Sequence, residues 1–148
     1  MPSHIAFLGT GRLGAGFAEA ALGRGDRVAV WNRTAEKAQA LAQFGATVAA
    51  TPADAVKGAE RVHLVLKDDT SVEQVIADCR PGLGPDAVII DHTTTLPART
   101  AERARRLTAE GVKYLHCPVF VGPAAARQAR GNILVAGPQA LYERVKPA

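Results

Sequence analysis

Short apolar runs and longer stretches of helical spacing take turns along this chain, an alternation that predicts parallel strands joined by crossover helices. The runs place strands at Ile5–Leu8, Arg27–Trp31, Thr47–Ala49, Val62–Leu66, Ala87–Asp91, Lys113–His116 and Ile133–Ala136. Between them the spacing predicts helices over Leu13–Arg24, Ala35–Gln43, Pro52–Val56, Val72–Cys79, Pro97–Glu110 and Pro138–Val145. Pro52, Pro97 and Pro138 stand where a first-turn proline is tolerated, and Gly45 and Gly111 suit helix C-termini. No repeat, low-complexity tract or linker interrupts the pattern. The 148 residues therefore read as a single domain, 1–148, of α/β class with a doubly wound, mostly parallel sheet.

The first junction carries the most specific chemistry. Gly9-Thr10-Gly11-Arg12-Leu13-Gly14 follows the first strand and opens the first helix. Strand, glycine turn and helix in that order form the phosphate-binding start of a Rossmann-type fold. Gly9 allows the tight turn, Gly11 lets a pyrophosphate approach the backbone, and Gly14 lets helix and strand pack closely. The unpaired N–H groups of the helix then face the anion. The second strand ends in Asn32-Arg33-Thr34, without the carboxylate that accepts from an NAD ribose. Arg33 is suited to a 2′-phosphate through a planar, charge-assisted contact, so the expected cofactor is NADP(H). The plainer reading makes Arg33 a solvated cation and Thr34 the N-cap of the next helix.

Composition narrows the class. No uninterrupted apolar stretch approaches the ~20 residues of a membrane span, and Met1-Pro2-Ser3-His4 lacks a basic segment leading into an apolar signal core, so a cytoplasmic protein is expected. Cys79 and Cys117 lie far apart without C-x-x-C spacing, which argues against a disulfide framework or a metal site. The net charge of +4 and the cluster Arg99, Arg103, Arg105 and Arg106 raise the question of nucleic acid. Glu102 and Glu110 are interspersed, Ala101, Ala104 and Leu107 offer an inner face, and no aromatic residues alternate with the arginines. A solvated helix face, and no nucleic-acid or membrane partner, is the expectation.

In a doubly wound sheet the ligand lies beyond the carboxyl ends of the strands. The fourth strand is followed by Lys67-Asp68-Asp69-Thr70-Ser71, the fifth by His92-Thr93-Thr94-Thr95-Leu96-Pro97. Lys67 has two readings: a contact to phosphate, ribose hydroxyl or bound carboxylate, or a solvated cation beside Asp68 and Asp69. Thr70 or Ser71 suits a helix N-cap. The three threonines offer neutral donors and acceptors at the mouth of the sheet, and also suit a helix cap. His92 is an acid–base candidate by residue type, but the sequence shows no partner to orient it, which favours a structural role.

These residues resemble the β-hydroxyacid dehydrogenase family. It includes 3-hydroxyisobutyrate dehydrogenase, tartronate semialdehyde reductase and the glyoxylate or succinic semialdehyde reductases, with 6-phosphogluconate dehydrogenase and imine reductases as relatives. Gly9 to Gly14 is similar to the family's cofactor signature, and Asn32-Arg33-Thr34 to the N-R-T form associated with NADP. Leu66-Lys67-Asp68-Asp69 resembles the M-L-x-D loop that meets the cofactor. Asp91 to Pro97 resembles the D-x-S-T-x-x-P motif, with Thr93 in place of serine and Thr94 where threonine stands near the nicotinamide. Cys117-Pro118-Val119-Phe120-Val121-Gly122 is similar to A-P-V-S-G-G, departing from it at Phe120 and Val121 and keeping Gly122.

The resemblance implies hydride transfer between a nicotinamide and a small hydroxy acid, aldehyde acid or keto acid. It implies cofactor contacts at Gly9, Thr10, Gly11, Arg12, Leu13, Gly14, Asn32, Arg33, Thr34, Leu66, Lys67 and Thr94, and substrate contacts at Thr93 and Gly122. The family's catalytic lysine lies on a long helix beyond this stretch, so no catalytic residue is assigned here, Lys146 included. An all-helical second domain, or a homo-oligomer, is the expected partner. The chain alone is expected to bind cofactor with little turnover. The alternatives are an imine reductase-like enzyme and a non-catalytic NADP(H)-binding regulatory module.

Overall fold

Ile5, Ala6, Phe7 and Leu8 are all buried, so the first strand hides both of its faces, as an interior strand covered on two sides must. The computed structural model describes residues 2–148. Six strands, β1 (His4–Leu8), β2 (Arg27–Trp31), β3 (Thr47–Val48), β4 (Arg61–Leu64), β5 (Val88–Asp91) and β6 (Lys113–His116), form one parallel sheet. Their order is β3-β2-β1-β4-β5-β6, the doubly wound arrangement in which the winding reverses beside β1. Register is regular across that switch point, with Phe7 opposite Val30 on β2 and His63 on β4.

Helices cover both faces. On one side lie α1 (Arg12–Gly23) and α2 (Ala35–Gln39), whose Ala18, Ala21 and Ala38 pack with Ile5, Phe7, Val28 and Val30. On the other lie α3 (Pro52–Val56), α4 (Asp69–Cys79) and α5 (Pro97–Ala109). Their Val56, Val72, Ile76 and Leu107 meet Ala6, Leu8, Val62, Leu64 and Ile89. A third cluster joins Val88, Ile90, Leu115 and Cys117 to Leu141 and Val145 of α7 (Gln139–Val145). The alternation of apolar runs and helical spacing thus becomes three layers.

The seventh strand is where expectation and structure part. In place of a parallel strand at Ile133–Ala136, β8 (Asn132–Ile133) pairs antiparallel with β7 (Val119–Phe120), and Ala136 bridges His116 antiparallel at the sheet edge. The reason is the path between. A five-residue helix, α6 (Pro123–Arg127), docks on α1, where a methyl on Gly16 would stand 3.1 Å from the Pro123 carbonyl oxygen. The chain therefore comes back at the carboxyl end of the sheet, and a parallel crossover needs a return to the other end. Neither α6 nor β7 was expected from the sequence.

Smaller differences have local causes. The helix expected over Ala35–Gln43 stops at Gln39 and tightens into a 3₁₀ turn at Ala42–Phe44 before Gly45. The helix expected from Val72 starts at Asp69, because Asp68 is the cap that accepts from the Ser71 N–H at 2.8 Å, where Thr70 or Ser71 was expected. In α5 the inner face is Thr100, Arg103 and Leu107, while Ala101 is exposed. Arg103, expected on a solvated face, is 1% exposed.

Candidate functional site

The glycine turn is built as the sequence implies. Gly9 has φ +103, and a Cβ there would stand 2.1 Å from the Val65 carbonyl oxygen. A Cβ on Gly14 would meet the Gly9 carbonyl oxygen at 2.0 Å, so strand, turn and helix touch through backbone. Gly11 differs: a Cβ there meets nothing within 4 Å, and the residue is exposed at the N-cap of α1. That side is open, and the first-turn amides of Arg12 and Leu13 have no intrahelical acceptors. Thr10 is buried, and its hydroxyl has no partner among the described residues. An open glycine face, helix amides and an unpartnered hydroxyl fit a pyrophosphate. Arg12 and Gly11 are exposed and Leu13 is partly buried.

Asn32 proves to be the brace between this turn and the next. Its Oδ1 accepts from the Thr10 N–H at 2.9 Å and its Nδ2 donates to the Thr34 carbonyl at 2.9 Å. Thr34 occupies the N-cap position of α2 but its side chain makes no capping bond. Arg33 is exposed; the hydrogen bonds of this loop belong to Asn32 and the nearby ion pair to Lys67 and Asp68, so among the described residues its guanidinium has no partner. A recess of about 340 Å³ opens here, lined by Trp31, Asn32, Arg33, Val48, Ala49 and Ala50. A larger cavity, about 450 Å³, runs along the sheet beneath α1 and α7 past Ile5, Phe7, His63 and Ile90. It is lined by none of the glycine-turn residues, which separates it from the mouth described above.

The loops after β4 and β5 are tied together. Thr93 is 2% exposed, and its hydroxyl accepts from the Leu66 N–H at 3.0 Å. Its own N–H donates to Asp91 Oδ1 at 3.0 Å, and its carbonyl accepts from His116 Nε2 at 3.0 Å. Of the two threonines expected near nicotinamide and substrate, Thr94 is the one turned outward. Lys67 is exposed, 3.9 Å from Asp68. The N–H and hydroxyl of Ser71 hold the Asp68 carboxyl below its ordinary range, and the charges of Lys67 and Arg33 add to them. Two cations thus flank one carboxylate at the mouth. Gly122 is exposed before Pro123, with open space where a Cβ would stand.

Two features escaped the sequence. Arg103 is the largest: its Nε donates to Glu73 Oε1 at 2.7 Å and its Nη2 to Asp69 Oδ1 at 2.6 Å, with Asp91 at 3.9 Å. The signal was present, since Thr100, Arg103 and Leu107 share one helical face. The other is His92, which does have partners. Its Nδ1 lies 2.8 Å from the Cys117 carbonyl, which only accepts, so Nδ1 carries the proton and Nε2 accepts from His63 Nδ1 at 2.9 Å. The two imidazoles meet edge to edge through that bond with their planes 15° apart, and Phe7 stacks on His63 with centroids 4.8 Å apart. His92 is buried structure.

Burial holds both imidazoles below their ordinary range, with His92 and nearby arginines adding to the effect on His63. The unfolded chain binds these protons near pH 6.5 and the folded chain only at lower pH, so stability is full above 6.5 and falls as pH drops through it. The slope reaches up to about 1.4 kcal/mol per pH unit for each histidine. Urea midpoints measured between pH 7.5 and 5 are expected to decline across that window. The lowered carboxylates, Asp68 and Asp69, act only below it.

Residues 4–148 match the family described as the NAD binding domain of 6-phosphogluconate dehydrogenase. The chain belongs to that family. Among curated relatives it is 32% identical over 142 residues to the cytokine-like nuclear factor N-PAC of Xenopus tropicalis, covering 94% of this chain and 27% of N-PAC. It is also 32% identical to an oxidoreductase of Shewanella frigidimarina, covering 98% of this chain and 51% of that protein. The chain thus spans about half or less of these relatives.

Solved structures agree on the fold. The 3-hydroxyisobutyrate dehydrogenase of Mycobacterium tuberculosis, with L-serine, superposes at TM-score 0.93 and 26% identity, covering 99% of this chain and 50% of that one. An imine reductase of Myxococcus stipitatus in complex with NADP+ gives 0.89 and 27%, with coverage of 99% and 50%. Its V8 variant in complex with NAD+ gives 0.89 and 25% over the same shares. This chain is an NAD(P)-binding Rossmann domain of the kind found in 3-hydroxyisobutyrate dehydrogenase-like oxidoreductases and imine reductases. Among the described residues no helix is long and apolar enough to cross a membrane.

Proposed function

We propose that the chain is the NADP(H)-binding half of an oxidoreductase acting on a small hydroxy acid or the matching aldehyde or keto acid. The observation that carries the cofactor preference is Arg33, exposed, without a partner among the described residues, at the rim of a recess whose strand ends in no carboxylate. The recess takes the adenosine and Arg33 meets the 2′-phosphate. Gly9, Gly11 and Gly14 with the amides of Arg12 and Leu13 receive the pyrophosphate, and the Thr10 hydroxyl adds a donor. Asn32 and Thr34 hold that corner in shape.

When bound, the nicotinamide supplies or accepts the hydride. Leu66, Lys67 and Thr94 wall its half of the site, while Thr93 fixes the Leu66 backbone and Gly122 leaves room for substrate. The proton donor, and an all-helical domain or second copy closing the cleft, come from outside these residues. On this reading the chain alone binds cofactor and turns over little. The buried thiols of Cys79 and Cys117, unpaired in the fold, suit a reducing cytoplasmic compartment.

Parallel fluorescence titrations with NADPH and NADH test the preference: NADPH is expected to bind at least about tenfold more tightly, the scale of one charge-assisted contact. Equal affinities would remove Arg33 from the site. A second reading, an imine reductase-like substrate wall, rests on Phe120, which is 66% exposed where the β-hydroxyacid dehydrogenase motif carries serine. Reduction of a cyclic imine against succinic semialdehyde, with the complementary domain present, separates the two. A non-catalytic nucleotide-binding role is the outcome if both substrates are left untouched.

A further inference from the structure

The arginine hidden inside α5 touches neither open face of the site, yet the loops after β4 and β5 both lead back to it. Its Nη2 donates to Asp69 Oδ1, and the other oxygen of Asp69 accepts from the Leu96 N–H at 3.0 Å. Asp69 opens α4, directly after Lys67 and Asp68; Leu96 closes the threonine loop. On the opposite side Arg103 faces Asp91, whose Oδ2 accepts from the Tyr114 hydroxyl at 2.6 Å and whose Oδ1 accepts from the Thr93 N–H. Thr93 in turn holds the Leu66 N–H. One cation, 1% exposed, is thus bonded or ion-paired to both carboxylates that orient the two loops. A side chain needed only to neutralise a helix face would stand in water, where an ion pair contributes little. Burial of Arg103 among Asp69, Asp91 and Tyr114 has a geometric product instead: two loops with a fixed separation.

We infer that Arg103 is a positioning residue that sets the distance between the Leu66–Lys67 and Thr93–Thr94 loops, and so governs the nicotinamide half of the cofactor site while leaving the adenosine half untouched. The inference rests on the NADP(H) reading above. The adenosine half is independent of this network because its brace is Asn32, bonded to Thr10 and Thr34 across the switch point. Electrostatics agree with the geometry. Burial opposes the charge on Asp69, but the Leu96 N–H and the Arg103 guanidinium prevail and keep its carboxyl below the ordinary range. The same carboxylates raise no competitor to Arg103, which stays protonated.

The test compares two ligands that share one half. NADPH occupies both halves, whereas adenosine 2′,5′-bisphosphate occupies only the end at Arg33. In Arg103→Lys, which keeps the charge and loses the fork, NADPH affinity is expected to fall about fivefold to tenfold, the range of coupling through a packed network, while the bisphosphate stays within about twofold. Tyr114→Phe, which keeps the buried ion pairs, is expected to show the same split at smaller size. It decides the matter if Arg103→Lys fails to fold, judged by its thermal midpoint. Equal losses for both ligands, or no loss for either, in the variant that folds would overturn the inference and leave the cofactor reading standing. Failure of the wild-type chain to bind the bisphosphate would sink that reading, and the inference with it.

Discussion

Gly9→Ala is expected to lower stability by about 3 kcal/mol or more, while Gly11→Ala two positions away leaves the fold intact and weakens cofactor binding. At Gly9 two effects combine. The backbone sits at φ +103, where an L side chain costs about 1–2 kcal/mol. The new methyl would also stand 2.1 Å from the Val65 carbonyl oxygen, a backbone atom that moves only with the strand end it follows. Overpacking of that kind costs roughly another 1–3 kcal/mol. For a domain of this size, thermal denaturation is expected to shift by about 10 °C.

Gly11 has none of this. Its φ of −65 suits any residue and a Cβ there meets nothing within 4 Å, so the stability change stays within about 0.5 kcal/mol. The open space is where the pyrophosphate approaches on the proposed reading. A methyl there displaces the phosphates by an ångström or so, and NADPH affinity is expected to fall roughly tenfold or more. Calorimetry and fluorescence titration on the two variants separate a glycine that builds the turn from one that serves the ligand. Normal cofactor binding by a stable Gly11→Ala protein would move the phosphates away from α1.

Much of this was legible in the sequence. The strands Ile5–Leu8, Arg27–Trp31 and Ala87–Asp91 show themselves because a parallel strand buried on both faces reads as a near-continuous apolar run. The glycine turn shows itself because two close backbone approaches, at Gly9 and Gly14, demand the absence of a side chain. What stayed hidden depends on tertiary path. Residues Ile133–Ala136 are apolar enough for a strand, but their direction follows from where α6 docks on α1, and nothing in the run itself encodes that. Asn32 is a cofactor contact by resemblance, and its bond to the Thr10 N–H, 22 positions earlier, could not be read from the run that carries it.

Arg103 is the instructive case. Charge, and an inner face read at Ala101, Ala104 and Leu107, both argued for water; Arg103 is buried instead because Asp69 and Asp91, on two other elements, supply buried partners. A cation at the Thr100 and Leu107 face was the readable half of that fact. Asp69 as the first residue of α4, rather than part of a solvated acidic pair, was the other half. Neither carboxylate lies near it in sequence, so the pairing emerges only once β5 and α4 are side by side.

Arg33→Asp is expected to reverse the coenzyme preference, lowering NADPH affinity by at least roughly 100-fold while leaving NADH affinity equal or improved. A charge-assisted contact contributes about 1.5–3 kcal/mol, or 10- to 150-fold in affinity. Placing a carboxylate where the guanidinium stood adds repulsion toward the 2′-phosphate and an acceptor for the NADH ribose hydroxyl. Structural cost is small, because Arg33 is exposed and the corner is held by Asn32 instead. Because the contact lies at the surface, the wild-type preference for NADPH is also expected to shrink as ionic strength rises from 0.05 to about 0.5 M, where the screening length falls well below 10 Å. A salt-independent preference, or one that survives Arg33→Asp, would place the discriminating group deeper in the recess, among Trp31, Val48 and Ala49, where shape rather than charge selects the coenzyme.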